Sequence, residues 1–295
     1  MRWNRGCRSI WRNKSRRFFC LFVLPGFLGI MVFVLLPFLD VVKRSFTTAV
    51  TGEFNGGKNY QAVFQNQAFL LAVENTVRFT LVCIPVLVAL GLAAALMLSR
   101  LKKKSRMKSV YLFPLAMPTA TVVMVWKLVF YKQGFLNLFF TRIGTFTGLW
   151  GEIHRDYLGT AAAFWVLVGS YVWKNMGYTV VLWLAGLAGI SGEMLEAAKV
   201  DGAGSWQRLW RIVLPNLKGS LCTIVILSFL NSFKIYREAY LTAGAYPDQS
   251  IYLLQHLFNN WFVNLELDKM AAAAVCTGGV LMIAILALLR LWEDG

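Results

Sequence analysis

Charged residues are scarce in this sequence. They make up 15% of its 295 residues, whereas hydrophobic residues make up 58%. In an average soluble domain, about a quarter of the residues are charged. The 14 acidic residues and the two histidines, His154 and His256, form no nucleophile–base arrangement, carboxylate pair or metal-ligand cluster. The composition therefore excludes an ordinary soluble domain, gives no support to an enzyme and indicates a membrane protein.

Paired cysteines are also lacking. The five cysteines stand at positions 7, 20, 83, 222 and 276 without paired spacing, and four of them lie in or at the edge of apolar segments. We interpret them as small apolar side chains, and we predict neither a disulfide framework nor a metal site.

A phosphate-binding loop is absent as well, although the stretch GEFNGGKN, residues 52–59, has the glycine and lysine spacing of one. Asn59 stands where a Ser or Thr would bind magnesium, and no predicted strand precedes the stretch. We therefore expect that this chain does not hydrolyse ATP, and we predict no cofactor in it.

What the sequence does contain is a series of long apolar segments. A helix needs roughly 17 to 25 such residues to cross about 30 Å of hydrocarbon. The pattern predicts an all-α, polytopic membrane protein in which a basic tail, residues 1–17, precedes a transmembrane domain, residues 18–295. No small-residue cleavage site follows the first segment, so we expect a retained helix and not a signal peptide. The six predicted spans are 18–42, 77–99, 108–130, 157–190, 218–240 and 268–291.

Positive charge alternates from one predicted loop to the next. Residues 1–17, 99–108, 190–219 and those after 289 hold 18 of the 30 Lys and Arg residues. Because cytoplasmic segments carry the excess of Lys and Arg, this distribution predicts that both termini and the 191–217 loop are cytoplasmic. The net charge of +16 therefore reflects topology, and we predict contact with lipid and none with nucleic acid.

The 191–217 loop contains the stretch EMLEAAKVDGAGSWQRLWRIVLPN, residues 193–216, which is unusually polar for this chain. Ser191 and Ser205 are suited to cap two short helices, and Gly202 to turn the backbone between them. Pro215 is expected to end or kink the second helix. Two interpretations are open: an amphipathic loop on the inner leaflet, or a rigid knob that a cytoplasmic partner binds.

The spacing of residues in this loop carries a resemblance. Glu196-Ala197-Ala198 is followed by three residues, Gly202, nine residues, Ile212, one residue and Leu214-Pro215. This resembles the EAA pattern of the permease subunits of binding-protein-dependent ABC importers. The resemblance implies a coupling helix that docks on a separate ATPase subunit. The residues that it implicates are Glu196, Ala197, Ala198, Asp201, Gly202, Ile212, Leu214 and Pro215.

Within that family the chain resembles the maltose-type permeases, through stretches such as SVYLFPLAMPTATVVMVWKLVF and NSFKIYREAYLTAG. It departs from their pattern at Ser191, where the family often has proline, and in TAGAYPDQS after the fifth span. The resemblance implies import of a sugar or oligosaccharide across a bacterial plasma membrane. It also implies a heterodimer with a second permease, a cytoplasmic ATPase dimer that binds ATP and magnesium, and an extracellular or periplasmic solute-binding protein.

Polar side chains inside the spans are candidates for the transport path, because they are costly against lipid. They share one helix face in each of two spans. The resemblance implies sugar contacts at the following positions: Tyr171, Lys174, Asn175 and Tyr178 in the fourth span, and Ser228, Phe229 and Ser232 in the fifth. Hydrogen bonding between helices is the alternative.

Four charged residues of these spans have alternatives of their own. Lys174 would also suit an anionic solute, or an acidic residue of the partner permease. Lys234, Arg237 and Glu238 are expected to pair with one another, with contact to a docking binding protein as the alternative.

Two other transport functions remain open, and a structural or assembly protein of the membrane is a third alternative. One is the same importer architecture with a glycerol-phosphate or polyol-type solute, for which Lys174 would matter. The other is a stand-alone secondary transporter or channel, although the inverted repeats common in such proteins are not visible in this sequence.

Overall fold

The structure is a computed structural model that describes residues 21–100 and 112–293, with side chains described as far as residue 290. Within these ranges every regular element is a helix, and the only strand-like contact is an isolated bridge between Thr47 and Phe54. The all-α prediction is therefore confirmed for the described residues. The predicted tail, residues 1–17, and part of the 99–108 loop lie outside them.

Eleven labelled helices follow one another in the described ranges. They are α1 Leu21–Ser45, α2 Lys58–Gln65, α3 Gln67–Ser99, α4 Thr119–Phe130, α5 Phe135–Thr147, α6 Ala162–Ala188, α7 Gly192–Val200, α8 Ser205–Arg208 with its continuation Leu209–Val213 and Leu214–Asn216, α9 Lys218–Ala243, α10 Leu254–Val263 and α11 Leu267–Glu293. Residues 112–116 form a further short helical piece before α4.

Several of these helices are long and apolar enough to cross a membrane. Four qualify singly, namely α1, α3, α9 and, over Leu267–Arg290, α11. Helices α6 and α7 qualify together as a pair bent by 68°. Length and composition thus give a polytopic membrane protein. The predicted third span, 108–130, is represented by 112–116 and α4, which are separated at Met117 and Pro118.

The described chain divides into two compact units. One contains the described part of Met1–Gln65 together with Trp261–Gly279. In it, the buried Asn59 donates hydrogen bonds to the carbonyl oxygens of Ser45, at 3.1 Å, and Thr47, at 2.9 Å. The amide therefore holds the chain that follows α1. Asn59 is the residue at which stretch 52–59 departs from the phosphate-binding-loop motif, and in this fold it has a structural role.

The other unit contains Asn66–Asn260 together with the described part of Val280–Gly295. Its core forms where α3, α6 and α9 pack together, around buried residues such as Phe79, Leu87 and Trp183. Helices α3 and α6 approach closely at Gly91, where an added Cβ would lie 2.4 Å from Thr179 Cγ2. This packing fixes α6 and α9, which carry the predicted path residues.

Two helical segments widen just before a proline, whereas α3 stays α-helical around Pro85. The turn Met31–Leu35 in α1 is π-helical and precedes Pro37, and the turn Leu209–Val213 in α8 is π-helical and precedes Pro215. A proline has no N–H to donate, and its ring clashes with the carbonyl four residues earlier. A wider turn relieves that clash, so each helix continues past its proline.

Candidate functional site

Helix α6 ends in a sharp bend, which begins the segment that we call the elbow, residues 191–217. Helix α7 leaves α6 at 68°. The Ser191 side chain accepts a hydrogen bond from the backbone N–H of Met194 at 3.3 Å, as an N-cap does. The cap predicted at Ser191 is therefore confirmed, and it fixes the start of α7.

Gly202 closes α7. Its φ of +79° lies in the left-handed region. The N–H of Gly202 donates to the carbonyl of Lys199 at 3.2 Å, and the N–H of Ala203 donates to the carbonyl of Ala198 at 2.9 Å. These two bonds form a Schellman motif, which satisfies carbonyl groups at a helix end. The predicted glycine turn is confirmed.

The second helix of the elbow starts one residue earlier than predicted. Gly204 is its N-cap, and the Gly204 N–H donates to Gln207 Oε1 at 3.1 Å. Ser205 is the first helical residue, and its Oγ accepts from Arg208 Nη2 at 3.3 Å. The cap assigned to Ser205 was wrong, because the Gln207 side chain satisfies the free backbone N–H instead. The predicted end or kink at Pro215 is confirmed: the turn before it is π-helical, and α8 ends one residue after it, at Asn216.

The elbow has a buried base and an exposed tip. Leu217 is 1% exposed and packs in one core cluster with Trp183 and Ile224. At the tip, Val200 is 87% exposed and Trp206 is 70% exposed. Helix α7 contains no buried residue. An apolar surface of this kind, held rigid from below, is typical of a contact site for another molecule.

The predicted coupling residues of the elbow include both exposed and half-buried side chains. Five are exposed, namely Glu196, Ala197, Asp201, Gly202 and Pro215. Three are half-buried, namely Ala198, Ile212 and Leu214. The exposed members are available to a partner, and the half-buried members connect the exposed surface to the base of the elbow.

A cavity of about 500 Å³ opens where α6 and α9 carry most of their polar side chains. A short 3₁₀ turn, Phe233–Ile235, interrupts α9 beside it. The side chains that line it include those of Thr119, Tyr171, Lys174, Asn175, Asn231, Phe233, Lys234, Arg237 and Glu238. Amide, ammonium, guanidinium and aromatic groups thus meet in one space.

Four of the predicted path residues form hydrogen bonds to another helix. Tyr171 and Ser228 are fully buried, and Tyr171 Oη donates to the carbonyl oxygen of Ser228 at 2.6 Å. Tyr178 Oη and Ser228 Oγ share a hydrogen bond of 2.8 Å. These groups hydrogen-bond between helices α6 and α9, which is the alternative raised from the sequence. The buried Ser232 shares a hydrogen bond of 3.3 Å with Thr80 on α3.

The remaining predicted path residues lie at the cavity or next to it, and Tyr171 lines it as well. Lys174 and Asn175 line it. Phe229 is half-buried and packs edge-on against Phe233, with ring centroids 5.6 Å apart, and Phe233 lines the cavity. The assignment of all seven residues to a solute path stays a prediction.

Lys174 has an acidic partner within the chain. Its Nζ donates to Glu238 Oε1 and, at 3.1 Å, to Thr119 Oγ1. The expected local pairing of Lys234, Arg237 and Glu238 is wrong, because Glu238 is engaged by Lys174 of the neighbouring helix. Thr119 and Asn231 were missed from the sequence. The sequence does contain a signal for the Lys174–Glu238 pair: Lys174 is the only charged residue in α6, and Glu238 is the only acidic residue in α9.

Within the described residues, no group of three or more His, Cys, Asp or Glu side chains is arranged to hold a metal ion. The site consists of an exposed elbow and a polar cavity, and α6 and α9 connect the two. This arrangement suits a protein that moves a solute and is acted on from outside its own chain.

Comparison with known proteins supports the same conclusion. The family described as "Binding-protein-dependent transport system inner membrane component" matches residues 87–293. The trehalose/maltose transport system permease protein MalF of Thermococcus litoralis is 30% identical over 249 residues, covering 82% of this chain and 82% of that protein. The osmoprotective compounds uptake permease protein GgtC of Synechocystis sp. is 26% identical, covering 81% of this chain and 87% of that protein.

A solved structure shares the fold. One chain of a bacterial ABC transporter involved in the import of the acidic polysaccharide alginate superposes with a TM-score of 0.81 at 16% identity, covering 97% of this chain and 99% of that chain. The prediction of an importer permease is confirmed by the family match, since the matching family is the membrane component of its transport systems and not their ATPase. The chain belongs to the inner membrane components of binding-protein-dependent transport systems: it is a multi-pass permease subunit of an importer.

Proposed function

We propose that this permease carries a sugar or oligosaccharide, delivered by an external binding protein, across a bacterial plasma membrane in an ATP-driven importer. It works with a second permease as a heterodimer and with a pair of cytoplasmic ATPase subunits. ATP and magnesium bind to those subunits, and this chain supplies no cofactor. The chain crosses the membrane six times, with both termini in the cytoplasm, as the distribution of Lys and Arg supports.

The observation that carries this proposal is the elbow. It combines the spacing of a coupling motif, a Schellman turn at Gly202, an exposed apolar tip and a base buried at Leu217. A loop that only lies on the membrane has no need of a fixed turn with a buried base. In the proposed mechanism the ATPase binds the tip, and closure of the ATPase pair moves the elbow as one rigid body.

Movement of the elbow is transmitted to the cavity through α6 and α9. Helix α6 enters the elbow at Ser191, and α9 leaves it after Leu217. Both helices line the cavity. A push on the elbow therefore shifts the two helices against one another and exposes the cavity to alternate sides of the membrane.

The chemistry of the cavity supports a carbohydrate. The amides of Asn175 and Asn231 are able to exchange hydrogen bonds with sugar hydroxyl groups, and the Phe233 ring offers a face to the apolar side of a pyranose. The relative named for trehalose and maltose transport has the highest identity of the two reported above. A glycerol-phosphate or polyol-type solute is the second candidate, and the cations around the cavity favour it.

A stand-alone transporter or channel is no longer supported, because the family to which the chain belongs depends on binding proteins. Uptake assays test the rest. A host lacking this chain is complemented with the complete importer, and uptake of labelled maltotriose, trehalose and glycerol 3-phosphate is measured with and without a functional ATPase. We expect uptake of carbohydrate that stops when the ATPase is inactive. Uptake that persists without the ATPase contradicts the proposal.

A further inference from the structure

The cavity carries an excess of positive charge. Four charged side chains line it: Lys174, Lys234 and Arg237 are cationic, and Glu238 is anionic. Three positive groups against one negative group give a formal charge of +2. The cavity lies on α9, a helix long and apolar enough to span a membrane, where unpaired charge is costly.

Glu238 neutralises only one of the three cations. Its side chain is 5% exposed and bonds with Lys174 Nζ, and the Lys174 side chain is itself 20% exposed. Thr119 Oγ1 accepts a second hydrogen bond from Lys174 Nζ at 3.1 Å. Lys174 and Glu238 therefore form a pair that holds α6 to α9 and in which the two charges neutralise one another.

Lys234 and Arg237 differ from that pair. Both are exposed and line the cavity, and within the part of the chain that the structure describes neither forms an ion pair. They stand three residues apart, at and just after the 3₁₀ turn Phe233–Ile235. Glu238, the only acidic residue of α9, is already engaged, so nothing on this helix neutralises them.

We propose that Lys234 and Arg237 bind an anionic group of the transported carbohydrate: a carboxylate or a phosphate. A guanidinium and an ammonium group form charge-assisted hydrogen bonds with such groups. Asn175 and Asn231 lie in the same cavity and serve the hydroxyl groups of the same solute. This inference rests on the proposed function, since it names the class of sugar that the importer carries.

The test uses the complete importer, with its binding protein and ATPase, in the complemented host. Uptake is compared for neutral oligosaccharides, for the corresponding uronic acids and for sugar phosphates. We expect uptake of one of the anionic classes, and the arms identify whether its charge is carboxylate or phosphate. Uptake of neutral sugars alone overturns the inference and leaves the proposed function standing. Uptake of no carbohydrate contradicts both.

Variants connect that uptake to the two cations. Lys234→Gln with Arg237→Gln is expected to lower uptake of the anionic solute at least about tenfold. The conservative pair Lys234→Arg with Arg237→Lys should restore most of it. Arg142→Gln is the matched control, since Arg142 is an exposed arginine on α5 and does not line the cavity.

A second readout separates solute binding from subunit contact. The neutralised variant should still copurify with the second permease and the ATPase at the level of the parent protein. Loss of the second permease from the complex would overturn the inference, because the two cations would then be partners of acidic side chains on that subunit. Unchanged anionic uptake in the double variant would overturn it as well.

Discussion

Lys174 on α6 donates a hydrogen bond to Glu238 on α9, which lies 64 residues further along the chain. The same ammonium group bonds to Thr119 Oγ1, the first residue of α4, so that one cation joins three helices. Both charges lie within apolar segments, where each would be costly alone. The pair fixes the relative positions of the helices around the cavity.

Glu238→Gln should destabilise the protein, because it leaves the Lys174 charge without its counter-ion. Breaking a buried pair costs about 3–5 kcal/mol, and the partial exposure of Lys174 reduces this to about 2 kcal/mol. Thermal unfolding of the purified complex in detergent measures the effect. The double variant Lys174→Met with Glu238→Leu removes both charges and should recover much of the loss. A Glu238→Gln variant as stable as the parent would contradict the pairing.

Gly202→Val should uncouple transport from ATP hydrolysis. The position has a φ of +79°, and an added Cβ meets nothing within 4 Å, so the cost is conformational and not steric. Left-handed backbone costs an L-residue roughly 1–2 kcal/mol, and a β-branched residue resists it further. The matched control is Gly192→Val, since Gly192 begins α7 in ordinary helical backbone and also has open space around it.

The measurement for this pair of variants is ATP-driven uptake at equal membrane levels. Gly192→Val should transport like the parent protein, and Gly202→Val should not. Normal uptake by Gly202→Val would count against a role of the elbow in coupling.

Phe229→Ala should weaken uptake without loosening the ATPase. The ring packs edge-on against Phe233, which lines the cavity, and such aromatic pairs contribute about 0.5–1.5 kcal/mol. We expect the KM for uptake to rise about threefold to tenfold. Leu230→Ala is the control, because Leu230 is the adjacent residue, is 45% exposed and does not line the cavity. Loss of the ATPase from the Phe229→Ala complex would mean that the residue is structural.

Mild acid should destabilise the protein through His256 on α10. The ring is fully buried, its Nδ1 accepts from the Leu253 N–H at 3.2 Å, and the Tyr236 ring lies edge-on with centroids 4.9 Å apart. Burial lowers the pKa of His256 from 6.5 to about 4. Between these two pH values the unfolded chain binds more protons than the folded chain, so stability falls as the pH decreases through this window.

The expected loss is on the order of 2 kcal/mol between pH 7 and pH 4.5. Unfolding of the parent protein and of His256→Gln is compared at the two pH values, and the variant should lose less stability. His154 is exposed, so His154→Gln should behave like the parent. Equal acid sensitivity in His256→Gln and the parent would rule out this histidine as the cause.

Local features of the site were predictable from the sequence. The turn at Gly202 depends on residues within a few positions of it, and so does the cap at Ser191. The cap of α8 was misplaced by one residue, because Gly204 and Ser205 are both acceptable caps and the Gln207 side chain decides between them. The effect of Pro215 was predictable as well, since the helix widens just before it and ends one residue after it.

Contacts between distant helices were not predictable from periodicity. Tyr171 and Lys174 share one face of α6 and both line the cavity, yet Tyr171 is fully buried and donates to the Ser228 carbonyl, whereas the Lys174 side chain is 20% exposed and bonds to Glu238. Residues that share one helix face can contact two different neighbouring helices. The way in which α9 packs on α6 decides which contact each residue makes. The Lys174–Glu238 pair likewise depends on how two distant helices are aligned.

The central claim is that an ATPase subunit binds the elbow, and site-specific photo-crosslinking tests it most directly. A photoreactive residue replaces Val200 at the elbow tip, which is 87% exposed, or Val280 on α11, which is 66% exposed and lies outside the elbow. In the complete importer, we expect the probe at Val200 to crosslink to the ATPase and the probe at Val280 not to do so. Crosslinking of the Val200 probe to lipid alone, or of the Val280 probe to the ATPase, would contradict it.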